Sequence, residues 1–182
     1  MPLTAAQQRT VNAAVDLFAE HGVGGTSLQM IADAVGVTKA AVYHQFKTKE
    51  EIVLAVAEGE LARVEAALEI AEAEATPAAA RDVLLEQMVA LAIERRHMES
   101  PRHSDPVIGR FFAEHEPFRA VMGRLARVLM ADERGREARV RAAMLTAAIG
   151  GAVMHPLVAE LDDKTLRTQL LHLARSFLDL PD

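Results

Sequence analysis

An all-helical fold is what this sequence predicts, and three observations carry it. Apolar residues recur at i, i+3, i+4 and i+7 in segment after segment. With six Phe, one Tyr and no Trp, the core has to come from Ala, Leu, Val and Met. Alternation of period two, which strands with one buried face require, is almost absent. The expected architecture is about nine helices. A three-helix unit over 1–49 holds a helix-turn-helix at about 27–46, and a helical bundle follows over 50–182.

Taken in order, Thr4 is placed to cap a helix over 5–21, whose inner stripe is Val11, Ala14, Val15 and Phe18. Gly22, Gly24 and Gly25 give a tight connection in which the backbone approaches its surroundings closely. Thr26 reads as the next cap, with Gln29 three residues on as its capping-box partner. Leu28, Ile31, Ala32 and Val35 form one stripe on two turns, and Gly36 falls where a helix ends with positive φ. Val37 plugs the turn, Thr38 caps a short second helix, and Val42 and Phe46 give that helix its apolar side. Lys39, Ala40, Tyr43 and His44 are left on its outer side, an arrangement that the major groove of double-stranded DNA admits. Helices joined by a glycine turn also occur inside ordinary bundles, so the pattern by itself leaves both readings open.

Thr48-Lys49-Glu50-Glu51 is a second capping box, opening a long helix to about Ala75. Ile52, Val53 and Val56 face the first unit; Leu61, Val64, Leu68 and Ile70 face the second. Thr76-Pro77 starts the next helix, to about Met98. The polar stretch 99–105 reads as an exposed loop. A helix with Phe111 and Phe112 follows, and Glu116-Pro117 opens another, to about Asp132. The last two helices are expected over 135–157 and 162–178. The first mixes Ala142, Ala143, Ala147, Gly150 and Gly151 with larger apolar residues, which permits close helix packing. Two terminal helices this apolar need a deep core or a partner.

The run from Ala13 to Val56 resembles the DNA-binding domain of the TetR family of transcriptional regulators. The matches are Phe18 and Gly22, Thr26-Ser27, Ile31-Ala32, Ala34-Val35-Gly36-Val37, and Val42-Tyr43-His44-Gln45-Phe46 with Lys47, Lys49 and Glu50. The resemblance implies double-stranded DNA with a palindromic operator as one partner and a small-molecule effector as another. Tyr43 and Lys49 are then expected near phosphates, Thr38, Lys39 and His44 near base edges, and Lys47 at the DNA as well. Ala40 offers a methyl contact, and Thr26 and Ser27 anchor the backbone at a helix N-terminus. It also implies a homodimer through 135–157 and 162–178. A ligand pocket is expected among the middle helices, with Met88, Leu91, Arg95, Phe111, Phe112, Phe118, Met122, Leu125, Met144 and His155 as candidate lining.

The net charge of −6 is unevenly spread. Residues 1–49 hold four basic and three acidic side chains, for +1; residues 50–182 hold 16 and 23, for −7. Phosphate attraction must therefore come from a local patch, strengthened by two copies acting together. Without cysteine there are no disulfides or thiolate metal sites. Met1 to Thr10 lacks a signal-peptide apolar core, and Ala142 to Val153 is too short to span a bilayer, so a cytoplasmic protein is expected. His97, His103 and His115 form no HExxH or paired-carboxylate pattern, so neither a cofactor, a metal nor catalysis is expected. The alternatives are a helical metal-dependent hydrolase using those histidines, or a protein-binding module.

Overall fold

The structure is a computed structural model that describes residues 3–98, 115–131 and 135–180. Among the described residues there are eight α-helices, one 3₁₀ turn and no strand. They are α1 (Ala5–Gly25), α2 (Leu28–Val35), α3 (Lys39–Gln45), α4 (Lys49–Glu72), α5 (Pro77–Met98), α6 (Glu116–Met130), α7 (Arg136–Ala152) and α8 (Asp163–Phe177), with the 3₁₀ turn at Pro156–Val158. The expected loop at 99–105 and the helix bearing Phe111 and Phe112 lie outside the described residues. Two compact units form, Met1–Ala62 with Met98–His115, and Arg63–His97 with Glu116–Asp182. The division falls within α4.

The first unit packs α1 on α2 and α2 on α3. Thr4 caps α1 through the reciprocal pair it makes with Gln7, the Gln7 amide donating to Thr4 Oγ1 and the Thr4 amide to Gln7 Oε1. Helical geometry in α1 is broken at Gly22, with φ 72° and ψ 162°. Its core joins Val11, Ala14, Phe18, Ile31, Ala32, Val42, Phe46, Ile52 and Val53. Ile31, Val42 and Ile52 are wholly enclosed, each contributing about 1.5–3 kcal/mol of apolar burial. The Thr10 hydroxyl, also enclosed, donates 2.9 Å to Gln45 Oε1 and ties α1 to the end of α3.

In the second unit α6 packs on α7 and α7 on α8. Leu68, Leu84, Leu85, Val89, Leu129, Leu166 and Val153 are its most enclosed side chains. Ile70, expected to face this core, is half exposed. Ion pairs fix the register at the rim: Arg124 with Glu72 at 2.7 Å, Arg175 with Asp82 at 2.6 Å, and Arg63 with Glu94. Arg124 bonded beside it holds the Glu72 carboxyl below the ordinary carboxylate range. Exposed pairs of this kind set geometry more than stability. The helix expected over 135–157 ends earlier, at Ala152. Pro156 has no amide to donate and pushes His155 into extended backbone (ψ 135°), so a separate turn starts there. Arg96 from α5 donates to the carbonyls of Val158, Ala159 and Leu161 at 2.9–3.1 Å and holds that turn down.

The two glycines of positive φ described in the first unit differ in strain. Gly36 is left-handed (φ 76°, ψ 34°), whereas Gly22 occupies a region that only glycine visits readily. Gly36→Ala should therefore cost about 1 kcal/mol, and Gly22→Ala more, up to about 3 kcal/mol. Urea denaturation followed by circular dichroism checks the order, and a reversed order counts against this backbone.

Candidate nucleic-acid interface

The outer side of α3 is held open by what its inner side buries. Gly36 ends α2 in the left-handed conformation, its amide reaching back to the Ala32 and Asp33 carbonyls. Thr38 then caps α3, its hydroxyl oxygen accepting from the Ala41 amide at 3.2 Å. Val42 is fully enclosed and Phe46 nearly so. On a seven-residue helix, that anchoring leaves Lys39, Ala40, Tyr43 and His44 exposed on the other side. Tyr43 is 53% exposed, an unusual degree for an aromatic side chain whose body is apolar. The Lys47 ammonium stands 5.2 Å from the Tyr43 ring centre, a cation–π pair worth about 0.5–1 kcal/mol at the surface. Thr38, Lys39, Ala40, Tyr43, His44 and Lys47 thus form one exposed surface of donors, cations and a methyl group.

Two expectations require correction. Thr26 does not cap α2; Ser27 does, accepting from the Met30 amide at 3.2 Å. Thr26 is only 2% exposed, and its hydroxyl donates to the carbonyls of Gly22 (2.8 Å) and Leu17 (3.1 Å). Closing α1 on itself consumes the hydroxyl expected at a phosphate, whereas Ser27 stays exposed. Gln29 accordingly makes no capping box and pairs with Asp33 one turn on. Lys49 is the second correction. Its ammonium turns inward and donates to the carbonyls of Val23 (2.6 Å) and Thr26 (3.0 Å). Local pattern held no signal for this, because the partners lie 26 and 23 residues away. The capping box expected at Thr48 forms in part. The Glu51 amide donates to Thr48 Oγ1, while the Glu51 carboxylate accepts from the Lys47 backbone amide.

The candidate pocket residues differ in exposure. Leu125 is buried on α6, and Met88, Leu91, Phe118 and Met122 are half-buried on α5 and α6. Arg95 is exposed, and Met144 stands 57% exposed on α7. Exposed His155 caps the 3₁₀ turn, its Nδ1 accepting from the Leu157 amide. Phe111 and Phe112 lie outside the described residues. Among the described residues no three His, Asp or Glu side chains are grouped to hold a metal ion. No helix among them is long and apolar enough to cross a membrane.

Comparison with known proteins bears on the same surface. Residues 11–56 match the family described as bacterial regulatory proteins, tetR family. Over 62 residues the chain is 34% identical to the transcriptional repressor AcnR of Corynebacterium diphtheriae, covering 34% of this chain and 33% of that one. Over 46 residues it is 44% identical to the regulator AcrR of Shigella flexneri, covering 25% and 21%. The chain thus spans about a third or less of the length of these relatives. Solved structures extend the likeness in fold to nearly the full chain. The fatty acid degradation regulator FadR of Bacillus halodurans aligns with TM-score 0.74 at 17% identity, over 96% of both chains. FadR of Bacillus subtilis, solved with stearoyl-CoA, aligns with TM-score 0.69 at 20% identity, over 93% of this chain and 98% of that one. The match to the tetR family of bacterial regulatory proteins thus lies in the N-terminal unit, and the likeness over the remaining chain is one of fold.

The opposite placements of Thr26 and Ser27 give unequal costs. Ser27→Ala loses a cap, about 1 kcal/mol. Thr26→Ala loses an enclosed methyl group and both hydrogen bonds, about 2 kcal/mol or more. Equal losses in urea denaturation would mean that Thr26 is as open as Ser27.

Proposed function

We propose that this chain is a cytoplasmic, homodimeric, DNA-binding transcriptional repressor, released from a palindromic operator by a small molecule bound in its second unit. The observation that carries the reading is the open side of α3 around the anchored Val42. A short helix so presented fits the major groove. In this reading Thr38, Lys39 and His44 approach base edges and Ala40 offers its methyl to thymine. Tyr43, Lys47 and Ser27 meet phosphates; the Ser27 hydroxyl keeps its hydrogen for donation after accepting from Met30. One protomer offers few cations, so affinity comes from two half-sites one helical turn apart, about 34 Å.

The dimer reading is supported by apolar side chains left outward on the last two helices. Val140, Met144 and Leu173 are each more than half exposed, and Ala143, Ala147, Gly150 and Gly151 lie open beside them on α7. A Cβ added at Gly150 or Gly151 would meet nothing in this chain. Close approach of a second copy suits both features. For the effector, Met88, Leu91, Phe118, Met122 and Leu125 remain the candidate lining, with Phe111 and Phe112. Flexible Met beside Phe and Leu favours an apolar ligand. The stearoyl-CoA held by the Bacillus subtilis relative is one probe of that class. Since α4 carries residues of both units, an effector that tilts it would change half-site separation and favour release.

Selection of bound sequences from random duplex DNA should return a palindrome, and enrichment of no sequence would refute the reading. On the selected duplex, Lys39→Ala should relax base preference. Lys47→Ala should weaken all sequences alike and lower the salt slope by about 0.9 per lost phosphate contact. Met144→Glu or Leu173→Glu should yield folded monomers in sedimentation at micromolar concentration. Persistence of the dimer in both would displace the interface from α7 and α8.

A further inference from the structure

We propose that Lys49 is a positioning residue for DNA binding, acting as an internal cap on the end of α1 rather than as a phosphate contact. The inference rests on the DNA-binding reading above and deepens it. α1 ends at Gly25; the Thr26 amide and hydroxyl meet the Gly22 carbonyl, and the carbonyls of Val23 and Thr26 face Lys49. The turn that follows the break at Gly22 contains no basic side chain of its own. Lys49 supplies a cation from the first residue of α4, with two donated hydrogen bonds of 2.6 and 3.0 Å to Val23 and Thr26. Charge-assisted bonds of this length are among the stronger ones in a protein.

The bonded carbonyls flank the turn that launches α2. Thr26 closes α1 through its hydroxyl, and the next residue, Ser27, caps α2 and is exposed for a phosphate. Lys49 therefore fixes where the α2 N-terminus points. It also links the start of α4 to that point through one side chain, so displacement of the first turn of α4 pulls on the α1–α2 connection directly. An ammonium held in this way has two of its three hydrogens committed to carbonyls.

The test compares Lys49→Met with Lys47→Met, on a duplex recovered by selection, across a salt series. Loss of a phosphate contact flattens the dependence of log affinity on log salt by about 0.9 per contact, twice that in a symmetric dimer. Lys47→Met should show this flattening. Lys49→Met should weaken binding about tenfold with the wild-type slope, because both half-sites are misaligned while every phosphate contact keeps its charge. Lys49→Arg, which retains donors and charge, should recover part of the affinity. A flattened slope in Lys49→Met would overturn the inference and make Lys49 an ordinary backbone contact. A second readout needs no DNA. Amide hydrogen exchange over residues 22–30 should quicken at least tenfold in Lys49→Met, with α5 to α8 unchanged, and unchanged exchange over 22–30 would equally overturn it. If the wild-type chain bound no duplex at all, the functional reading would fall, and exchange alone would decide the role of Lys49.

Discussion

A seven-residue helix does not persist in water, because so few internal hydrogen bonds cannot offset the entropy of nucleating it. α3 exists because Val42 and Phe46 are drawn into a core built by Phe18, Ile31, Ile52 and their neighbours. That burial fixes both the presence of the helix and its rotation about its own axis. With the inner side committed, the outer side has no freedom to turn away, and Lys39, Tyr43 and His44 are presented to solvent together. Gly36 contributes the angle, Thr38 the start, and the Thr10 hydroxyl a tether on Gln45 at the far end.

Charge acts locally here. Residues 50–182 are acidic as a group, yet screening confines the influence of exposed charges to about 8–10 Å at ordinary salt. The α3 surface is thus governed by its own few cations. Few cations also mean modest non-specific attraction, so the proposed DNA binding would need a symmetric pair of such surfaces to be tight. The outward apolar residues of α7 and α8 are consistent with that requirement. Val140, Met144 and Leu173 each leave more than half of their surface to solvent in the protomer.

α4 carries residues of both units. Ile52, Val53 and Ala55 belong to the core beneath α3, and residues from Arg63 onward belong to the second unit. At its first residue, hydrogen bonds to the end of α1 bring the helix to the turn before α2.

By itself the sequence determined what depends on neighbours within a turn or two. The stripe Leu28, Ile31, Ala32 and Val35, the stop at Gly36, the cap at Thr38 and the open set Lys39, Ala40, Tyr43 and His44 are all local consequences of helical periodicity and backbone sterics. The break before Pro156 was written there as well, although the apolar run around it suggested an unbroken helix. What only the tertiary structure decided are choices between equally capable neighbours and between distant partners. Thr26 and Ser27 both carry a capping hydroxyl, and which one caps depends on whether the backbone after Gly22 turns Thr26 toward Leu17. Lys49 has the charge and reach for a phosphate, and it is held inside because two carbonyls more than twenty residues away come within 3.0 Å of it. Composition likewise could not say that Met144 and His155 would stand outside rather than line a cavity. An apolar or amphipathic side chain on a helix records its spacing, while the side it shows to solvent is set by the helices packed against it.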